Sequence, residues 1–313
     1  MRVRRAAVSR NRETIMNRAS WRIRAFAIPI CTLLPLACAD AHGIVGDRFF
    51  PATIATDDPF AADELALPTV SVFRHKDDGA PVDESDADFE WSKSIAPGFA
   101  IAFGGGYVDA KPDGGPAATG FDNLEITPLL EIVRDADREF ILTAGMSFEI
   151  GGSGSRAVAD RFTTYTPEIL FGKGFGDLPD SMALLKPFAV TGVLGYAIPG
   201  SGAAPHSLHW GGAVEYSLLY LQTDVRDEGL GPFMSHLTPV VEFDIDSPTG
   251  GALTGTIDPG LIWSGQYSQF GIEAMIPLNA ATGRNVGVIA QLHFYLDDLF
   301  PHSIGRPLFA GAR

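Results

Sequence analysis

The sequence predicts an all-β chain that folds as a transmembrane antiparallel up-and-down β-barrel of about 12 strands. Strand-like segments recur from residue 68 to residue 297, their apolar faces agree from one segment to the next, and long and short connections alternate. No stretch of helix length shows an apolar 3.6-residue period, which favours the all-β class. The predicted strands are 68–76, 87–95, 98–108, 121–133, 138–150, 162–174, 184–197, 208–222, 236–246, 254–264, 267–277 and 285–297.

The last segment shows the alternation most clearly. Between Asn285 and Asp297, every second residue from Val286 to Leu296 is apolar, whereas the other series is polar or small except for Ile289. Successive side chains of a strand point to opposite faces, so this segment predicts one apolar wall and one wet wall. Strands of soluble proteins usually stop after about five or six residues, whereas a transmembrane strand needs about nine to eleven. The length favours a lipid-facing wall.

The connections favour the same architecture over a soluble β-sandwich or soluble barrel. Odd-numbered predicted strands end in long polar loops, the first over residues 76–86, whereas several even-numbered strands end in tight turns such as Ala96-Pro97 and Gly265-Gln266. Outer-membrane barrels have short periplasmic turns and long external loops. Residues 175–182 and 223–234 depart from that alternation. Seven aromatic residues are expected in interfacial girdles near strand ends: Trp91, Tyr107, Tyr165, Trp210, Tyr220, Trp263 and Tyr267.

Residues 1–41 are predicted to be a signal peptide. Eight Arg precede the apolar run from Ala25 to Ala39, and Ala39-Asp40-Ala41 supplies a cleavage pattern of small residues. The start is Met1 or Met16, and the alternatives to a signal peptide are a short membrane anchor and a lipoprotein. Cys31 and Cys38, the two cysteines of the chain, lie inside this segment. Cleavage would leave 15 basic and 36 acidic residues, a formal charge of −21 in place of −15.

The rest of the chain divides into three parts. Residues 42–67, interrupted by two Pro, are expected to be an irregular periplasmic lead-in, which either plugs the barrel or forms a mobile tail. Asp57 and Asp58 within it are expected to be solvated loop charges. Residues 68–297 form the β-barrel, and residues 298–313 form a C-terminal periplasmic tail. The acidic balance argues against nucleic-acid binding, which requires basic patches.

The inward series of the strands is rich in carboxylates and poor in basic residues. Like charges do not all stay ionised without water or counter-ions, so the lumen is either wet and favours cations, or packed with protonated and hydrogen-bonded carboxyls. In the wet case, replacing Glu242 and Asp244 with their amides is expected to weaken cation selectivity. The proposed lumen-lining residues are Glu125, Glu131, Glu168, Lys186, Glu215, Glu242, Asp244, Asp258, Glu273, Gln291 and His293.

Proline recurs inside five of the predicted strands and counts against their assignment, because it cannot donate to a ladder. The five residues are Pro128, Pro167, Pro187, Pro239 and Pro259, and four of them follow Thr or Asp. Bulges or strand ends are expected to absorb them.

The chain is not predicted to be an enzyme, and we expect neither catalytic residues, nor a cofactor, nor a metal site. His206-Ser207-Leu208-His209 is the densest cluster of nucleophile and base. Because neighbouring strand residues point to opposite faces, His206 cannot readily activate Ser207, so the cluster is expected at the polar rim. Gly104-Gly105-Gly106 precedes no helix and is expected to bend the strand or leave space in the lumen rather than hold phosphate.

With its signal peptide, its Thr-Pro-x-x-Glu-like strands and the ending that runs from Gly287 to Asp298, the chain resembles a family of bacterial outer-membrane barrels described as putative transporters of the meta-pathway of phenol degradation. The resemblance covers roughly residues 66–297. It implies an outer-membrane channel or transporter for small molecules such as aromatic or other apolar compounds. One departure is that the final strand is followed by a tail rather than ending the chain.

Three functions follow in order of preference: such a channel, a closed structural or adhesive outer-membrane barrel, and last a barrel-embedded lipid hydrolase. The expected partners are outer-membrane lipid, the barrel-assembly machinery and a small-molecule solute.

Overall fold

The structure, a computed structural model, describes residues 43–77 and 79–309. The predicted signal peptide, with Cys31 and Cys38, lies outside the described residues. The strands are β1 (Ile44–Val45), β2 (Arg48–Phe49), β3 (Glu64–Asp77), β4 (Ala80–Ala96), β5 (Phe99–Pro112), β6 (Ala118–Phe121), β7 (Glu125–Asp135), β8 (Phe140–Glu149), β9 (Thr164–Gly174), β10 (Phe188–Pro199), β11 (Ser207–Tyr216), β12 (Leu237–Pro248), β13 (Thr254–Ser264), β14 (Ser268–Pro277) and β15 (Gly287–Tyr295). Short helical segments lie in the connections: 3₁₀ turns at Ala136–Arg138 and Asp180–Leu185, α1 (Leu218–Tyr220), a π turn at Leu221–Val225, α2 (Pro232–Ser235) and α3 (Leu296–Leu299).

Twelve antiparallel strands close into a barrel. Each strand from β3 to β15 pairs with its neighbour in sequence, apart from the short β6, and β15 pairs back onto β3. β7 pairs with residues 99–104 of β5, and the short β6 pairs with residues 107–110 of the same strand. The first barrel strand begins and the last one ends at the same end of the barrel, which we call the terminal end. The opposite end, which carries the connections after β3, β5, β8, β10, β12 and β14, is the loop end.

The predicted class and strand number are confirmed, and most predicted bounds lie within a few residues of the observed ones. One connection was predicted wrongly. Residues 76–86 are not a long loop, because β3 continues to Asp77 and β4 begins at Ala80, so that a long hairpin projects at the loop end. The last strand is shorter than expected: it ends at Tyr295, and the chain turns into α3.

The outward face of the barrel is an exposed apolar belt. On β15 the predicted alternation is observed, with Ile289, Gln291, His293 and Tyr295 buried inside and Val288 exposed outside. A continuous apolar surface around a barrel far exceeds the few hundred Å² that soluble proteins expose, which makes this a transmembrane barrel. Other exposed members of the belt are Val72, Leu130, Ile132, Ile169, Leu194, Leu261, Phe270 and Ile272. In the part of the chain that the structure describes, no helix is both long and apolar enough to cross a membrane.

The recurring prolines interrupt single ladders and leave the barrel closed. Pro128, Pro167 and Pro259 each face a residue of one neighbouring strand, whereas the ladder with the other neighbour skips two residue pairs and resumes in the same register. Pro187 lies before β10, and Pro239 lies beyond the end of the pairing between β11 and β12. Each proline therefore lies at a position where at least one neighbouring strand is not paired with it.

Candidate functional site: the barrel interior

Residues 50–63 lie inside the barrel, and we call them the inner segment. Phe50, Ile54, Phe60 and Asp63 are all buried, with a few per cent of their surface exposed. Ile54 packs into a core cluster with inward side chains of β3, β11 and β12 to β15, and Phe50 and Phe60 pack against Ile141. The segment before the first barrel strand therefore fills much of the lumen that twelve strands enclose.

Glu242, in the middle of β12, binds the turn of the inner segment. Its Oε1 accepts the backbone N–H of Ile54 at 2.8 Å, and its Oε2 accepts those of Ala55 and Thr56 at 2.9 and 3.0 Å. The hydroxyl of Thr56 donates to the same Oε2 at 3.2 Å. A carboxylate that accepts several backbone N–H groups is a strong, charge-assisted anchor. This fully buried side chain therefore holds the segment in the barrel axis.

Other strands bind the same segment from the remaining sides. Gln269 of β14 bonds to both polar atoms of the Ala52 backbone. Thr143 of β8 donates to the carbonyl of Pro59, and Glu131 of β7 accepts from the amide of Ala61 at 3.2 Å. Gln291 of β15 donates to the carbonyl of Thr53 at 3.5 Å. Because these contacts come from several strands around the barrel, the inner segment is held from more than one side.

Arg48 fixes the chain at the terminal end. Its Nε lies 3.3 Å from Glu139 Oε2, and its other nitrogens donate to the carbonyls of Pro187 and Lys186. The guanidinium also lies 3.8 Å from the ring centroid of Tyr220, a cation–π contact. Arg48 and Glu139 are almost fully buried, so each needs the other as a partner.

Asp63 fixes the other end of the inner segment. Its carboxylate pairs with Lys93 and accepts the backbone N–H of Ser94 at 3.1 Å. Lys93 also donates to the carbonyls of Ile304 and Arg306 at 3.0 and 2.8 Å. The C-terminal tail therefore lies against the terminal end of β4.

The terminal end also carries a cavity of about 470 Å³. It lies beside the Arg48–Glu139 pair, outside the packed inner segment. Its lining residues are Gly46, Asp47, Ala136, Asp137, Glu139, Gly176, Asp177 and Tyr220.

Inward carboxylates lie over inward glycines. A Cβ on Gly145 would come within 2.5 Å of Glu168 Oε1, and one on Gly260 within 2.5 Å of Glu273 Cγ. Gly106, from the glycine run of β5, leaves the space that the carboxylate of Asp88 occupies. The predicted use of that run as lumen space is therefore correct at Gly106. Glycine on one strand makes room for an acid on the next strand.

A water-accessible acidic cleft lies beside the inner segment, towards the loop end. Asp57 and Glu90 are exposed although both lie within the barrel, and Glu90 is repelled electrostatically by Asp57, Asp58 and Glu125. Burial, and then repulsion by Glu64, raise the pKa of Asp58 to about 7. Asp58 also accepts the backbone N–H of Phe60 at 3.0 Å. Asp58 is therefore not the solvated loop charge that the sequence suggested.

The predicted lumen residues fall into three groups. Glu242, Glu131 and Gln291 bind the inner segment, and His293 Nε2 pairs with Glu64 at 2.9 Å. The carboxylate of Glu125 accepts a hydrogen bond from the Ser147 hydroxyl at 2.5 Å, and that of Asp258 accepts one from the Thr256 hydroxyl at 2.7 Å. Both carboxylates therefore bond to residues of the barrel wall. Buried positions on the inward series are also occupied by Glu168, Glu215, Asp244 and Glu273.

Lys186 was predicted to line the lumen, but it lies outside the barrel strands. β10 begins at Phe188, so Lys186 precedes the strand, and its ammonium pairs at 2.8 Å with Asp180, which is fully exposed at the terminal end. Tyr220 is also misplaced, because it is buried beneath Arg48 instead of joining an interfacial girdle.

Four basic groups, all buried or half-buried, were not predicted from the sequence. Arg48 lies in the lead-in, which has no period from which a face could be inferred. A bulge between Glu131 and Val133 turns Arg134 inward, where it pairs with Glu131 at 2.9 Å. Lys93 has outward parity, but the C-terminal tail covers it. His75, which pairs with Glu84 at 3.4 Å, has the inward parity of β3, so alternation was a usable signal for it.

In the histidine-serine cluster, Ser207 and His206 have different partners. The hydroxyl of Ser207 donates to Asp246 at 3.4 Å, and the ring of His206 lies against Tyr196 at 5.6 Å. His209 faces the lumen, 3.6 Å from both Asp244 and Asp246. Within residues 43–77 and 79–309, no group of three or more His, Cys, Asp or Glu residues is arranged to hold a metal ion.

No family model matches the chain, and no curated protein matches it. Similar solved structures include the KdgM porin, at 13% identity over 72% of this chain and 98% of that chain, with a TM-score of 0.44. Another is the COG4313 outer membrane channel from Pseudomonas putida F1, at 10% identity over 79% and 99%, with a TM-score of 0.49. A third is the beta domain of the Bordetella autotransporter BrkA, at 12% identity over 75% and 99%, with a TM-score of 0.41. These values do not transfer a solute or a role to this chain, and the resemblance to the phenol-pathway transporters stays a prediction.

Proposed function

We propose that this chain is an outer-membrane channel for small solutes, closed in the present conformation by its inner segment. The observation that carries the proposal is the pairing of a water-accessible acidic cleft with a segment that occupies the lumen through hydrogen bonds. Barrels of eight strands fill with their own side chains and barrels of sixteen leave a channel, so twelve strands leave space for a removable element.

The charge of the interior favours cationic or neutral polar solutes over anions. Asp57, Asp58, Glu90 and Glu125 surround the water-accessible space. The rim above it adds His209 between two aspartates. The aromatic and apolar compounds that the resemblance implies fit this carboxylate-rich wall less well.

The location belongs to the same proposal. Residues 1–41 would direct export, the barrel-assembly machinery would insert the barrel, and the apolar belt would contact outer-membrane lipid. The terminal end, where the first barrel strand begins and the last one ends, would face the periplasm.

A closed structural barrel is the alternative, and the binding of the inner segment favours it. Side chains from β7, β8, β12, β14 and β15 bind residues 52–61. A segment bound this firmly resists displacement, so the two functions differ in whether it ever leaves.

A cross-link separates the two functions. A Cβ on Gly211 would lie 3.3 Å from Thr56 Cβ, close to the roughly 3.5–4.5 Å of a disulfide. It would also lie 2.8 Å from the carbonyl oxygen of Phe243, so the strand must shift slightly to admit the cysteine. In a background in which Cys31 and Cys38 are replaced by Ser, Thr56→Cys with Gly211→Cys is expected to be silent in planar bilayers when oxidised and to conduct after reduction. Thr56→Cys alone, the control, should conduct under both conditions.

The remaining outcomes are equally informative. If the unmodified protein and the reduced double variant never conduct, the barrel is closed and structural. If the oxidised variant conducts like the reduced one, the protein is a channel but the inner segment does not close it.

A further inference from the structure

Two connections at the terminal end are longer than the other turns there. Residues 175–187 join β9 to β10, and residues 217–236 join β11 to β12, whereas residues 97–98, 136–139 and 265–267 make the short turns of this end. On the inner side, both connections contact Arg48, which precedes the inner segment. These contacts alone do not account for the length of the two connections.

The first long connection lies over the outer surface of the barrel. The hydroxyl of Tyr216 donates to the carbonyl of Leu184 at 3.4 Å. Tyr216 belongs to the outward series of β11, together with the exposed Trp210 and Val214. The ring of Phe188 packs edge-on against Tyr216, with centroids 4.7 Å apart. The 3₁₀ turn Asp180–Leu185 is thereby attached to the lipid-facing side of β10 and β11.

The second long connection straddles the rim. Tyr220 lies on the inner side, beneath the guanidinium of Arg48. Phe233 of α2 lies on the outer side, where its ring stacks on Trp263, with centroids 6.1 Å apart and planes 17° apart. Trp263 follows the exposed Leu261 on the outward series of β13. One loop therefore contacts Arg48 with one end and the outer wall with the other.

Both connections expose large apolar side chains next to the belt. Leu184 is 57% exposed and Phe233 63% exposed, and Met182, Leu185 and Met234 are also exposed. Their polar neighbours point elsewhere: Asp180 is bound to Lys186, and Arg226 is bound to Glu228. An apolar face that continues a lipid-facing surface and is bordered by water-facing charges is the arrangement of an interfacial membrane anchor.

We propose that these two turns are membrane anchors, with Met182, Leu184, Leu185, Phe233 and Met234 inserted among the lipids at the terminal-end boundary of the bilayer. The occupant of this surface is lipid, because the surface continues the apolar belt through Tyr216 and Trp263. These side chains carry the apolar surface of the β9–β13 side beyond the ends of its strands. The inference rests on the proposed membrane location.

Spin labels on single cysteines test the anchors in the full chain, with Cys31 and Cys38 replaced by Ser, reconstituted in phosphatidylcholine bilayers. Leu184→Cys and Phe233→Cys are the test sites. Asp180→Cys is the water-facing control in the same turn, and Leu194→Cys, outward on β10, is the lipid-facing control. The labels at 184 and 233 should collide several-fold less often with a water-soluble nickel chelate than the label at 180, and more often with oxygen.

The contrary results are distinct. Nickel collision rates at 184 and 233 equal to the rate at 180, with 194 protected, would overturn the anchors and leave the membrane location standing. A label at 194 that is open to nickel would overturn the location itself. Protection at 184 that disappears when the protein is diluted in lipid would identify a second copy of the chain as the occupant and overturn the proposal. Because all four side chains are exposed, their replacement should not prevent folding, and heat-modifiable migration on a gel checks this.

Discussion

Gln269 binds the Ala52 peptide through both atoms of its amide: Oε1 accepts the backbone N–H at 3.1 Å, and Nε2 donates to the backbone C=O at 2.6 Å. This is the pair of bonds that a neighbouring strand would make. The inner segment has no strand beside it at this point, because every strand edge of the barrel is already paired. A side chain of β14 therefore supplies the hydrogen bonds that the buried backbone requires.

Gln269→Ala should loosen the inner segment. The replacement removes four buried hydrogen bonds, because Oε1 also accepts from the hydroxyls of Tyr295 at 3.0 Å and Ser264 at 3.3 Å. At roughly 0.5–1.5 kcal/mol each, the loss is expected to cost about 2–6 kcal/mol. Hydrogen exchange at Ala52 should accelerate, and openings in planar bilayers should become more frequent. Gln266→Ala, in the exposed turn between β13 and β14, is the control and should change neither. Unchanged exchange at Ala52 in the Gln269 variant would show that packing alone holds the segment.

Glu242→Gln should have a larger effect at residues 54–56. The amide keeps a single acceptor oxygen, and its NH₂ group faces backbone donors that the carboxylate now accepts. We expect faster amide exchange at Ala55 and Thr56 and more frequent opening. Glu228→Gln is the control, because it makes the same chemical change at an exposed residue that does not bind the inner segment. Altered ion preference with unaltered exchange would instead support the role in cation selectivity that the sequence predicts for Glu242.

Asp58→Asn should flatten the pH dependence of stability. The folded-state pKa of Asp58, about 7, lies above the ordinary value of 3.8 for an aspartate, so the folded protein binds this proton more tightly than the unfolded chain does. Its contribution to stability therefore falls as the pH rises from about 4 to 7 and is level above that. Asparagine keeps the acceptor for the amide of Phe60 and has no proton to lose.

Unfolding midpoints of the reconstituted protein between pH 4.5 and 8 measure this difference. Above pH 7 the Asp58→Asn variant should be more stable than the unmodified protein. Asp180→Asn is the matched control: its bond to Lys186 lowers the pKa of Asp180, so its titration falls below this range. Parallel profiles for Asp58→Asn and the unmodified protein would refute the assignment.

Arg48→Met should destabilise the barrel more than Arg48→Met combined with Glu139→Gln. Removing one partner of a buried ion pair leaves the other charge unpaired, at a cost of about 3–5 kcal/mol. The double replacement removes both charges and should recover part of that loss. Urea unfolding of all four members of the cycle gives the coupling free energy. Additive single effects would mean that Glu139 is satisfied without Arg48, through its bond from the backbone N–H of Gly176.

Alternation predicted the barrel because the membrane imposes it on every strand. Val288, Ile289 and Gln291 illustrate this, since parity alone assigns each to its observed face. The count of twelve strands was predictable for the same reason. The hairpin of β3 and β4 was not, because its polar residues resemble a loop when no lipid contact marks them as strand.

The interior was less predictable because its partners are remote in sequence. Glu242 and Ile54 are 188 residues apart, and the sequence around one does not identify the other as its partner. The strand alternation predicted that Glu242 faces inward but not that it binds the inner segment. It assigned Arg134 to the wrong face, because a bulge shifts the alternation by one residue. The acids over glycines were visible on the inward series, but their pairing depends on the register between strands.

The position of the inner segment also fixes an order of events. Residues 50–63 are synthesised before every barrel strand, and they lie within a ring that closes only when β15 meets β3. At that seam the backbone N–H of Leu296 donates to the carbonyl of Asp63 at 2.9 Å. Once the seam has formed, no route remains for the segment to enter sideways. A segment that is in place by then is sealed in by the wall, and one that is not can enter only along the barrel axis, past the terminal end where Arg48 and Asp63 hold the chain.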